Sequence, residues 1–142
     1  MIKIITHNTQ QLAIIIKNSY QKEGVEFFTP NDYSQQLAYM SHKKGKKIDA
    51  HVHNRVTRDV HLTQEVLVIR KGKLRVDFYT QEKVYLESIV LESGDVILLA
   101  SGGHGFEVLE DLEMIEIKQG PYLGDEDKTR FQHISENNIV IN

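Results

Sequence analysis

Four side chains able to ligate a metal stand at informative spacings in this 142-residue chain: His51, His53, Glu65 and His104. In a β-strand successive side chains point to opposite faces, so residues two apart share one. Read as a strand, Ile48 to His53 directs both imidazoles the same way. Glu65 heads the apolar run Glu65 to Arg70 and alternates with Leu67 and Ile69, which places it on the inward face. A buried carboxylate needs a partner, and a metal supplies one. His104 follows the turn Ser101-Gly102-Gly103. Three imidazoles and one carboxylate can enclose a divalent first-row ion and leave open positions for a ligand.

The elements that must position these residues read as strands. Ile2 to Thr6 and Leu12 to Lys17 are short and β-branched, which favours strand over helix. Asn31 to Gln35 is expected to form a short helical turn with Asn31 as its cap. Leu37 to Met40 is a strand, and His42 to Lys47 a basic turn. Glu65 to Arg70 and Leu74 to Tyr79 are expected to form a hairpin closed by Lys71-Gly72. Lys83 to Leu91 and Val96 to Leu99 are strands separated by the turn Glu92 to Asp95. His104 to Leu109 and Leu112 to Lys118 are expected to pair back across Glu110-Asp111. About ten short strands with Gly-marked turns and almost no helical period predict an all-β barrel or sandwich. Within the tail from Tyr122, Phe131 and Ile134 are the expected anchors, and residues 124–130 a solvated wrap.

Composition bounds the function classes. The chain carries 40% hydrophobic and 26% charged residues, with a net charge of −3, the profile of an ordinary globular domain. That balance gives no case for nucleic acid or an anionic membrane as partner. The absence of Cys removes thiolate sites, disulfides and Cys nucleophiles. No apolar run approaches the ~20 residues of a membrane span. A cytoplasmic location is the default expectation, in a single domain over 1–142 with its motif core at about 36–119, flanked by strands in 1–35 and a tail in 120–142.

Gly45, His51, His53, Glu65 and Gly72 match every fixed position of the first sequence motif of the cupin superfamily, with eleven residues between His53 and Glu65 where three or four are usual. Gly94, Gly102 and His104 match the second motif loosely, with Ala100 in place of its Pro and Val108 in place of its Asn. The chain therefore resembles the cupins, jelly-roll β-barrels, and among them the small stand-alone bacterial ones. The resemblance implies the same four metal ligands, His51, His53, Glu65 and His104.

The chemistry expected of such a site is Lewis-acid chelation of a small molecule through vicinal oxygens by zinc, iron, manganese or nickel. Isomerisation or epimerisation of a sugar-like or polyol substrate fits it. A dioxygenase using Fe(II) and a non-catalytic metal- and sugar-binding module are the alternatives. Candidate acid–base groups are Glu116, if its face lines the barrel, His61 in a polar insertion, and Tyr39. The cluster Lys43, Lys44, Lys46 and Lys47 reads as a solvated turn, with steering of an anionic substrate as its functional alternative. Unpaired edges on the early Ile-rich strands point to a homodimer.

Overall fold

The computed structural model describes all residues from Met1 to Asn142, and the chain forms two compact units: Met1–Tyr20 with Thr63–Asn142, and Gln21–Leu62. The larger unit holds a six-stranded antiparallel sheet of β1 (Ile2–His7), β2 (Gln10–Ile16), β5 (Glu65–Tyr79), β6 (Tyr85–Glu92), β7 (Val96–Leu99) and β8 (Gly103–Lys118). The smaller unit contains β3 (Gly24–Phe27) paired with β4 (Ala38–Ser41). Short 3-10 turns at Gly124–Asp127 and Glu136–Asn138 are the only helical elements. No helix is long and apolar enough to cross a membrane. The protein is all-β, as its sequence predicts.

The large sheet is organised on β5. Its first half pairs with β7 and its second half with β6, while β8 runs along its whole other edge. The two hairpins expected at Lys71-Gly72 and Glu110-Asp111 are therefore not hairpins. Each is a bend inside one long strand, and the two bends lie side by side: Lys71 opposes Glu113, Lys73 opposes Glu110, and the register shifts between them. Locally, a Lys-Gly or Glu-Asp pair between apolar runs satisfies the rules for a tight turn. What turns them into bulges is the long-range pairing of β5 with β8, in which one irregularity accommodates the other.

The bends fold the ribbon over on itself. A straight strand from Glu65 to Phe78 would span about 40 Å, yet His104, which opposes Phe78 on β8, reaches Glu65 across 3.2 Å. The sheet is thus curled, and its concave side closes on one hydrophobic core. Leu67 and Ile69 from before the bend meet Leu74, Val76 and Phe78 from after it, with Ile89, Leu91, Ile97 and Leu99 filling in from β6 and β7. The β1–β2 pair adds Ile5, Leu12, Ala13 and Ile15. The turn at Glu92–Asp95 is fastened by the buried Asp95 carboxylate, which accepts from Asn18 N at 2.8 Å and Glu92 N at 2.8 Å and is paired with Lys17.

The other face of β5 beyond the bend is buried too, although it is polar. Arg75 and Asp77 are 5% and 0% exposed. The Arg75 guanidinium makes two bonds to Asp77, at 2.8 and 3.2 Å, and two to Glu136, at 3.0 and 3.1 Å, and it also meets Glu107. Ser88 donates to Asp77, and Tyr85 Oη lies 2.8 Å from Ser88 Oγ. These carboxylates hold the guanidinium in its charged form, and they raise its already high pKa further, with its bonds to Asp77 as the main cause. Glu136 belongs to the closing segment, so an ion cluster satisfies the outer face by drawing that segment across it.

Two expected elements are absent. Asn31 to Gln35 forms turns and bends rather than a helical turn. Ile48 to His53 is not a strand: residues 49–62 adopt no regular secondary structure and are exposed throughout. Ile48, Ala50, Val52, Val56, Val60 and Leu62 would share one face of a strand, and all are exposed. Asn54 and Arg58 interrupt that face, so no long apolar stripe is there for a strand to bury.

Gly72 sits at the ribbon's bend with φ +82°, and a Cβ built there would lie 2.1 Å from the Asp111 carbonyl oxygen. Both the positive φ and the backbone contact exclude a side chain. Gly72→Ala is expected to lower unfolding free energy by about 2–4 kcal/mol, measured by urea denaturation. A loss within 0.5 kcal/mol would show that the bend does not need this glycine.

Candidate metal centre

Glu65 opens β5 opposite Leu99 of β7 and Lys118 of β8. Leu99 is a core residue, so Glu65 lies on the concave, apolar side, and it is 9% exposed. His104 opposes core residue Phe78, and its ring lies 5.3 Å from that of Phe106, which packs on the core. The two side chains meet at the rim of the core, Nε2 to Oε2 at 3.2 Å. The hydrogen bond from His104 holds the Glu65 carboxyl below the usual range, against burial, which pushes it up. Lys118 and Lys128 add to the lowering.

His51 and His53 belong to the smaller unit. Their rings lie 5.2 Å apart in an edge-on arrangement although no strand holds them. His51 Nδ1 is 2.9 Å from the Asp49 carbonyl oxygen. A carbonyl only accepts, so Nδ1 is the donor of this bond, which leaves Nε2 as the nitrogen open to a ligand. Metal-ligating histidines are commonly oriented by such a bond. The structure thus brings the four residues together as two pairs, Glu65 with His104 and His51 with His53, each within one unit. In neither unit do three His, Asp or Glu side chains form a ready donor cluster.

The three acid–base candidates have ordinary surroundings. Glu116 opposes core residue Leu67 but stands at the exposed rim of β8, 3.7 Å from Lys118. His61 is an exposed residue of the irregular 49–62 segment. Tyr39 opposes Glu26 in the β3–β4 pair and lines an open cavity of about 480 Å³ with Ser41, His42 and Lys43. The cavity's lysines are already paired, Lys22 with Glu26 at 2.9 Å and Lys43 with Glu23 at 3.6 Å.

Sequence reasoning missed the polar cluster behind the sheet. Arg75 and Asp77 alternate with Leu74, Val76 and Phe78, and strict alternation reads as a solvated outer face. The signal that could have exposed them was the pair of apolar anchors in the tail. Phe131 stacks edge-on against Tyr79 at 5.0 Å, and Ile134 N donates to Tyr79 Oη at 3.0 Å. That tyrosine's hydroxyl is pushed up from its ordinary range, chiefly by burial. The chain matches no protein-family model, no curated protein and no solved structure.

The Glu65–His104 contact is expected to be an energetic coupling. A double-mutant cycle with Glu65→Gln and His104→Ala, read by urea unfolding of the metal-free proteins, should give an interaction of about 1 kcal/mol or more. Additive losses would mean that the two side chains are mere neighbours.

Proposed function

We propose that this protein is a metal-dependent, small-molecule-handling protein of the cupin type, with His51, His53, Glu65 and His104 sharing one divalent ion. A closed jelly-roll barrel is the fold that goes with this reading. The observation that carries it is the Glu65–His104 pair. A carboxylate is held on the apolar side of a curled sheet, in its charged form, with an imidazole nitrogen as its partner. Burying an unpaired carboxylate is costly, and a cation is the partner that His104 stands in for. The free Nε2 of His51 supports the reading as well.

The donor chemistry suits zinc, iron, manganese or nickel, for which imidazole and carboxylate are ordinary ligands. Such an ion would act as a Lewis acid on a chelated carbonyl or hydroxyl of a sugar-like or polyol ligand. Around it, this chain's own residues have definable tasks. Glu65 supplies the single negative charge, so the loaded centre stays net positive and favours an anionic or oxygen-rich ligand. Metal uptake would need the His104 nitrogen that now faces Glu65 to present its lone pair, with any N–H on the other ring nitrogen. Isomerisation or epimerisation further needs a base at the ligand, and Glu116, His61 and Tyr39 are the candidates.

A second reading is favoured by the state of those candidates. Glu116 is exposed and paired with Lys118, and His61 is exposed. A binding module that holds metal and a small ligand without turning it over requires no base. Homodimerisation accompanies either reading. The edge strand β1, with Ile4 49% exposed, is a surface a second copy would cover.

Protein purified without a metal-affinity tag is expected to carry close to one transition-metal ion per chain by element analysis. The His51→Ala, His104→Ala double variant should carry none. A parent that arrives empty and takes up no added zinc, manganese, nickel or iron would overturn the proposal.

A further inference from the structure

His104 lies between two glycines. On β8, Gly103, Gly105 and Glu107 face outward while His104 and Phe106 face the core, and the outward residues oppose Tyr79, Asp77 and Arg75. A side chain at Gly103 would place its Cβ 3.1 Å from Phe131 Cζ, and one at Gly105 would lie 2.8 Å from His133 Cε1. The two missing side chains are thus replaced by two aromatic rings from the closing segment. Further along, Glu136 accepts two hydrogen bonds from Arg75, with Glu107 on the same guanidinium. Beyond that, Ser88 N donates to Val140 O at 2.7 Å, Asn142 N donates to Ser88 O at 3.0 Å, and Ile141 bridges to Ser88. Residues 131–142 are a strap over the convex side of the strands whose concave side carries His104.

A Gly-His-Gly triplet is a poor mount for a ligand. Glycine has the largest conformational freedom to lose, and it offers no side chain to hold the strand in place. A ligand must be held within a fraction of an ångström, which requires a packed supporting layer. In this chain that layer comes from 27 or more residues away along the sequence, through Phe131 and His133 seated on the glycines and Glu136 locked on Arg75.

We propose that the strap positions His104: Phe131 and His133, clasped by Glu136 on Arg75, fix the backbone of Gly103–Gly105 from behind so that the imidazole is held toward Glu65. The strap residues touch no donor atom of the centre and act through the strand. The inference rests on the metal-centre reading above for its consequence, though not for its geometry.

The test uses the full chain with Phe131→Ala, its apolar counterpart of similar length Phe131→Met, and Ile15→Val, a core change in β2 that loosens the fold outside the strap. Two quantities are read: zinc affinity by competition with a chromophoric chelator, and the imidazole signals of His104 in the metal-free protein by NMR, assigned with His104→Gln. Phe131→Ala is expected to weaken zinc binding about tenfold, the lower end of what lost outer support costs a metal site. It should also shift and broaden the His104 signals, while Phe131→Met and Ile15→Val leave both near the parent's. Unchanged His104 signals in Phe131→Ala would overturn the strap's role. So would an equal loss of affinity in Ile15→Val, since that would make it a general effect of stability. A parent that binds no zinc ends the metal reading, and the His104 signals then decide the strap by themselves.

Discussion

The fold depends on one bend. Strand β5 and its partner β8 are each long enough to cross the whole unit, and both change direction where Gly72 lies against the backbone of Asp111. Without the bend, Glu65 and His104 would stand at opposite ends of a ribbon. With it, they meet at 3.2 Å over a core made by the two halves of the same strand. The Glu65–His104 pair is thus a consequence of how a two-stranded ribbon curls, and it is as well placed as the bend is fixed. This gives Gly72 a steric reason of its own, beside its match to a sequence motif.

A curled ribbon has two sides to bury. The concave side is apolar and packs on itself. The convex side beyond the bend is polar, and its burial demands a full set of partners, since an unpaired buried guanidinium or carboxylate costs several kcal/mol. Arg75 and Asp77 find them in Ser88, Glu107 and Glu136. The closing segment is therefore part of the electrostatic balance of the sheet and more than a covering. Glu136 is held below the ordinary carboxylate range by its bonds from Arg75, the direction expected of a group whose charged form is the bound one.

Much of this was legible in the residues. The β-branched runs at 2–6 and 12–17 and the turn at Glu92 to Asp95 mark out strands found where expected. Alternation of Glu65 with Leu67 and Ile69 correctly predicts an inward carboxylate. Phe131 and Ile134 anchor the tail, as their isolation among polar residues suggests. What could not be read is long-range. A bulge facing another bulge looks locally like two hairpin turns, and an outward Arg-x-Asp looks like a solvated edge until a distant segment supplies Glu136. The histidine segment misled for a different reason. Alternation around His51-x-His53 predicts a strand, whereas Ile48 and Val52 stay exposed, and the two rings lie close without one.

The central claim is that four donors from three separated stretches of sequence bind one ion. X-ray absorption at the metal edge of the loaded protein tests this most directly, because the ring atoms of each ligating imidazole scatter at characteristic longer distances. The account predicts a first shell of nitrogen and oxygen at about 2.0–2.2 Å, with outer-shell scattering from three imidazoles that falls to two in His104→Ala. A shell of oxygen alone, or imidazole scattering unchanged by that substitution, would contradict it.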